Sequence, residues 1–126
     1  MNPFTEELHF DNGGIVNGRR CIIVKKRFPA ITSLGLVAVP AGFVSDGASI
    51  PKAAWSIIGS PFDEFLEEAV VHDWLYSKSN QDFTRAEADF ILKELMWNCG
   101  ISKWKIAAFY LAVRMFGAKN FKGTPP

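Results

Sequence analysis

Cysteine and histidine are scarce in this chain of 126 residues, with two of each. Cys21 and Cys99 are too few and too far apart for a disulfide framework, and neither has a metal-type spacing, so a reducing compartment fits best. An excess of one charge is also missing: fourteen basic residues against thirteen acidic leave a net +1. There is no overall field to draw in a polyanion or an anionic membrane from a distance, and nucleic-acid binding is not expected. Long apolar runs are absent. None reaches the roughly 18 residues of a membrane span, and Ile106 to Phe116, the nearest approach, is closely bracketed by Lys105 and Arg114. The first ten residues carry Glu6 and Glu7 and lack the apolar segment of a signal peptide, so none is expected.

The apolar set that is present is unusually aromatic, with 11 Phe and 4 Trp, which predicts one core of large, flat side chains in a single domain over 1–126. Asn12-Gly13-Gly14 and Asn17-Gly18 are turn signals, and residues 1–19 read as an N-terminal arm or edge strand. Over 20–49, Cys21 to Val24 and Leu36 to Val39 have the β-branched content of strands; Pro29 ends the first and Pro40 the second. Their short connection predicts that they pair as a small antiparallel sheet, followed by an acidic loop at Phe43 to Ser49.

Residues 50–117 read as a helical core. Pro51 suits the first turn of a helix that Gly59 closes. A second helix is predicted from about Asp63 to Tyr76. A third opens on Thr84-Arg85-Ala86-Glu87, where the Thr84 side chain accepts from the backbone and Glu87 reaches back. The connection between these two is short, so they should be antiparallel neighbours. A last helix from about Ser102 to Phe116 is apolar around nearly its whole circumference, which predicts burial on most sides, or a face that docks on lipid or another protein. Residues 118–126 form a tail expected to fray. The fold class is therefore α+β, a small sheet packed on a mainly helical domain with an antiparallel helix pair.

Within segments that otherwise read as core lie Asp46, His72, Asp73 and Asp89. A charge in a core must be paired, hydrogen-bonded or metal-bound. Adjacent helical residues point 100° apart, so His72 and Asp73 must find different partners. Asp89, on the neighbouring helix, could accept from one ring nitrogen of His72, fix its tautomer and leave the other nitrogen to take a proton from water as a general base. Asp73 could meet Asp46 and the carbonyls of the Asp46-Gly47 loop, and two such carboxylates call for a hard cation, calcium or magnesium. Tyr76, on the His72 face, could hydrogen-bond an acid. Arg85 is a candidate partner for Asp82 or Asp89, and Glu68 is a further ligand or a solvated acid. The same residues also admit a structural reading, in which the acids only cap helices and tie down amides. Transition-metal chemistry of the cell-wall hydrolase kind is less favoured, because His9, the other histidine, is remote in sequence.

Three ordered motifs, Gly42-Phe43-Val44-Ser45-Asp46-Gly47-Ala48-Ser49-Ile50-Pro51, Val71-His72-Asp73-Trp74-Leu75-Tyr76 and Arg85-Ala86-Glu87-Ala88-Asp89, resemble a family of short phage and prophage proteins without an assigned activity. That likeness implies synthesis in a host cytoplasm, with phage structural proteins as partners and a place in the virion or tail as alternatives to catalysis. His72-Asp73 followed by Tyr76 and an acid in the next helix is also similar to the paired catalytic helices of the phospholipase A2 superfamily, especially its small bacterial members. This second resemblance implies an ester or phospholipid hydrolase. In it His72 is the base, Asp89 its orienting partner, Asp73 a calcium ligand, and Asp46 with the Gly47 carbonyl the calcium loop.

Overall fold

Turn glycines and β-branched runs divide the first part of the chain into five short strands, and three helices follow, among residues 2–16, 18–47, 49–50 and 65–125 described by the computed structural model. The fold is α+β. Strand β1 (Phe10–Val16) is an edge strand on β2 (Arg19–Val24), which carries the two-residue β5 (Val44–Ser45) on its other side. β3 (Phe28–Thr32) and β4 (Gly35–Val39) form a separate hairpin, and every pairing is antiparallel.

This pairing corrects the expected one. Cys21 to Val24 pairs with β1 and β5 and not with Leu36 to Val39, whose partner is the strand containing Pro29. Pro29 does not break that strand, for a geometric reason. The Ile31 N–H points away from β4 to the Pro3 carbonyl, 2.9 Å away. Pro29, two residues earlier, faces the same side, so its missing donor costs no bond to β4.

Helix α1 (Leu66–Tyr76) and α2 (Arg85–Asn98) are the antiparallel pair, and α3 (Lys103–Phe116) packs on α2. The capping box at the start of α2 is formed as Thr84 and Glu87 predicted. The helix expected from Pro51 to about Ile58 lies outside the described residues. One core cluster joins Ile22, Val24, Phe28 and Val39 of the sheets to Val70, Val71 and Leu75 of α1 and to Ala88, Ile91 and Leu95 of α2. A second holds Leu92 and Met96 of α2 against Phe65 and against Ile106, Phe109 and Val113 of α3. α2 thus supplies both clusters from neighbouring arcs of its surface.

Two expectations for the C-terminal region fail. α3 buries Ile106, Phe109 and Val113 but leaves Trp104 57% and Met115 63% exposed, because its apolar residues encircle it while α2 covers one stripe. The tail does not fray: Lys122 N–H donates to the Tyr76 carbonyl at 2.8 Å, Thr124 N–H donates to the Asn80 carbonyl at 2.9 Å, and the Phe121 ring meets Tyr76 edge-on. Gly117 ends α3, as expected, but with an ordinary φ of −83°. What the position requires is space, since a Cβ there would lie 2.7 Å from the Tyr76 hydroxyl and 2.4 Å from the Val113 carbonyl oxygen.

The loop between α1 and α2 is fastened by Asn80, which is buried. Its Nδ2 donates to the carbonyls of Leu75 and Phe83, and its Oδ1 accepts from the amides of Asp82 and Phe83. Replacing Asn80 with Ala leaves these groups without partners and is expected to cost about 3 kcal/mol. Urea unfolding of the two proteins measures it, and a difference below about 0.5 kcal/mol would contradict the role given to Asn80.

Candidate functional site

The helix pair places His72 against Asp89. His72 Nε2 lies 2.8 Å from Asp89 Oδ1, and both side chains are 0% exposed. Asp89 is the hub of a larger cluster. Its Oδ1 also accepts from the Tyr76 hydroxyl at 2.6 Å, and its Oδ2 accepts from Arg114 Nη1 at 2.8 Å. Arg85, one helical turn before Asp89, brings Nη1 within 3.6 Å of the same Oδ2 and donates to the Val113 carbonyl at 3.0 Å, near the C-terminus of α3. Arg85 therefore meets Asp89, and it also ties down a helix end whose carbonyls favour a cation.

Burial alone would push the Asp89 carboxyl up, but the hydrogen bond and charge of His72, with the bonds from Tyr76 and Arg114, outweigh it and hold Asp89 below the ordinary carboxylate value. Burial, followed by the bond to Asp89, pushes the Tyr76 hydroxyl well above its usual range, so it stays a donor. With Asp89 ionised, Nε2 carries a proton toward it. The tautomer is thereby fixed, and Nδ1 is left as the nitrogen available for chemistry.

Asp73 points the other way, into the loop after β5. The pairing of Ser45 with Ile22 sets that loop in place, and Gly47, at φ +73°, turns it so that its N–H faces the carboxylate. Ser45 Oγ and Gly47 N–H, at 2.8 Å, donate to Asp73 Oδ2, while Ser49 N–H, at 3.2 Å, and Ser49 Oγ donate to Oδ1. Burial comes first among the influences on Asp73 and raises it above the ordinary value, against the bonds from Ser45, Ser49 and Gly47.

The same geometry tests the expected calcium site, and the donor set does not fit it. Each Asp73 oxygen already accepts two hydrogen bonds, and the Gly47 carbonyl accepts from Ile50 N–H at 3.0 Å. A cation needs lone pairs that are here occupied. Asp46, half-buried, lines one pocket with Asp73, but the loop turns amides and hydroxyls toward Asp73 where a calcium loop would turn carbonyls. Glu68 is buried at the N-terminal end of α1, contrary to the solvated reading.

Two participants are absent from the expectations. Arg114 was a bracket on an apolar run and is in fact a ligand of Asp89; the signal was a lone cation inside an otherwise apolar helix. Ser49 was a loop residue and is the link between the two acids, with Oγ 2.9 Å from His72 Nδ1 and bonded also to Asp73. Its single hydroxyl proton can serve only one of these contacts at a time. If it serves Nδ1, a protonated Asp73 serves Oγ; if it serves Asp73, a proton on Nδ1 serves Oγ. The proton count is the same, and the raised Asp73 favours the first arrangement. Ser49, Asp73 and Tyr76 line a pocket of about 210 Å³ whose wall continues over Phe43, Val44, Asp46 and Lys122.

Asp89, held below its ordinary value of 3.8, stabilises the fold above that pH, and its contribution is lost as pH falls through the lower folded-state value. Asp73, raised, has the opposite slope: its contribution is present below the ordinary value and is lost as pH rises through the higher folded-state value. Asp89→Asn should therefore be less stable than the wild type by about 3–5 kcal/mol at pH 7, since Arg114, Arg85 and His72 lose their counter-charge. The gap should narrow below about pH 4. Urea unfolding of both proteins at pH 7 and pH 3 checks this, and a gap that does not depend on pH would contradict it.

The chain matches the family model described as "Protein of unknown function (DUF1353)" over residues 23–113, a span that holds His72, Asp73, Ser49 and Asp89. It is 38% identical over 80 residues to "Uncharacterized protein y4jT" of Sinorhizobium fredii (strain NBRC 101917 / NGR234), covering 63% of this chain and 23% of that protein. It is 32% identical over 76 residues to "Uncharacterized protein y4iH" of the same strain, covering 60% of this chain and 31% of that one. The aligned region thus spans less than a third of either curated relative. No solved structure matches significantly. With its family model matched across both helices of the His72–Asp89 pair, this chain belongs to the DUF1353 family.

Proposed function

We propose that this protein hydrolyses acyl esters, phospholipids among them, with His72 as general base and Asp89 as the residue that positions it. The observation that carries the reading is the fixed imidazole: Nε2 is committed to Asp89 at 2.8 Å, and Asp89 is held in place by Tyr76 and Arg114. Nδ1 is thereby left facing Ser49 on the wall of a pocket. His72-Asp73 and Tyr76 on α1, with Asp89 on the antiparallel α2, support the likeness to the phospholipase A2 superfamily. Calcium held by Asp46, Gly47 and Asp73 is not part of this proposal, because the lone pairs of Asp73 and the Gly47 carbonyl are taken.

A second reading has its own observation. His72 is fully buried with both ring nitrogens engaged, while Trp104, Leu111, Met115 and Phe116 leave an apolar face of α3 exposed. On that reading the network only fastens the loop to the helices, and the chain is a virion- or tail-associated interaction protein of a phage or prophage.

Assay of short-chain p-nitrophenyl esters and of phospholipid vesicles separates the two. Hydrolysis should fall by about 10²–10⁴-fold in His72→Ala and should be unchanged by excess EDTA. Undiminished turnover in a folded His72→Ala protein, or none in the wild type on either substrate, removes the hydrolase reading; loss of turnover with EDTA removes its metal-free form.

A further inference from the structure

We propose that Ser49 is the nucleophile of this site, attacking the carbonyl carbon of a short acyl ester to form a covalent acyl-enzyme. The inference depends on the hydrolase reading of His72 and changes one step in it: the first group His72 deprotonates is a side chain and not a water. The geometry leaves little choice. Ser49 Oγ lies 2.9 Å from Nδ1, in direct contact, so the position from which a water would give up its proton is already filled. From Ser49 the line continues through the ring to Asp89 at 2.8 Å, giving nucleophile, base and positioning residue in sequence, each within hydrogen-bond reach of the next.

Three elements with no sequence proximity build this line. Ser49 comes from the loop after β5, His72 from α1 and Asp89 from α2. Ser49 is 4% exposed yet lines the pocket, so its hydroxyl sits at the floor of a recess and not on open surface. Phe43 and Val44 give that recess an apolar side. At about 210 Å³ it is smaller than the usual ligand pocket of about 300 Å³ and upward, which suits the short acyl part of an ester with the alcohol part left outside.

The chemistry balances without a co-reactant other than water. The Oγ–H proton passes to Nδ1 as the Oγ–carbon bond forms. The tetrahedral adduct then collapses, the ester C–O bond breaks, and the leaving alcohol takes the proton back from Nδ1. Water next attacks the acyl carbon and gives a proton to Nδ1; the Oγ–carbon bond breaks and Oγ recovers its proton. The sum is ester plus water to acid plus alcohol.

A fluorophosphonate probe and a p-nitrophenyl acetate assay on the intact protein test the proposal. Expected are a probe adduct on the peptide containing Ser49, labelling at least about tenfold slower in His72→Gln, and turnover reduced by about 10³-fold or more in Ser49→Ala. Circular dichroism establishes that each variant is folded, and labelling of the wild type needs no variant at all. Ester turnover that depends on His72 but occurs without a Ser49 adduct, or persists in folded Ser49→Ala, overturns the nucleophile and leaves the base. Absence of both turnover and adduct in the wild type overturns both.

Discussion

A single buried carboxylate joins the three described helices. Asp89 stands on α2 and receives His72 and Tyr76 from α1, Arg85 from its own helix and Arg114 from α3. An ionised group in such surroundings is tolerable only because its lone pairs are met by donors, two of them cationic guanidinium groups. The arrangement constrains sequence strongly: shortening any one partner leaves a charge or a donor stranded inside the helical core. It also constrains chemistry, because an acid so well satisfied stays ionised and holds the ring in one tautomer.

The second acid does for the sheet what the first does for the helices. Asp73 adjoins His72 in sequence, and the helical turn between them sends its carboxylate to the loop after β5, where two hydroxyls and two amides receive it. β5 is only two residues long and could not position that loop through its own pairing with β2. The His72-Asp73 dipeptide therefore holds both halves of the molecule. Ser49 closes the circuit between them, and its register against His72 depends on how firmly Asp73 grips the loop.

Much of this was legible in residue order, because helices announce themselves locally. The capping box at Thr84 and Glu87, the glycine at 117 and the 100° divergence of His72 and Asp73 need only the nearest neighbours in sequence, and α2, α3 and the separate directions of the two side chains followed from them. The hairpin at Phe28–Thr32 was hidden because proline reads as a stop unless the side its nitrogen faces is known, and that depends on Pro3. The docked tail was hidden for a similar reason: its bonds go to Tyr76 and Asn80, far back in the chain. Ser49 and Arg114 carry no pattern of their own, since one serine in a loop and one arginine in an apolar helix gain meaning only from what lies opposite.

The two acids also divide their work electrostatically. Both are buried, yet Asp89 lies below the ordinary carboxylate value because charged donors surround it, and Asp73 lies above because its donors are neutral hydroxyls and amides that do not overcome burial. A proton on the Ser49 side of the imidazole therefore has a place to rest at Asp73, and none at Asp89. The line from Asp73 through Ser49 and His72 to Asp89 is thus polarised in one direction, with its reactive end at the serine and its fixed end at the helix joint. A symmetrical pair of salt bridges would hold the fold as well but would leave the imidazole without a preferred side. The unequal environments of Asp73 and Asp89 are what turn a structural joint into a site that can move a proton.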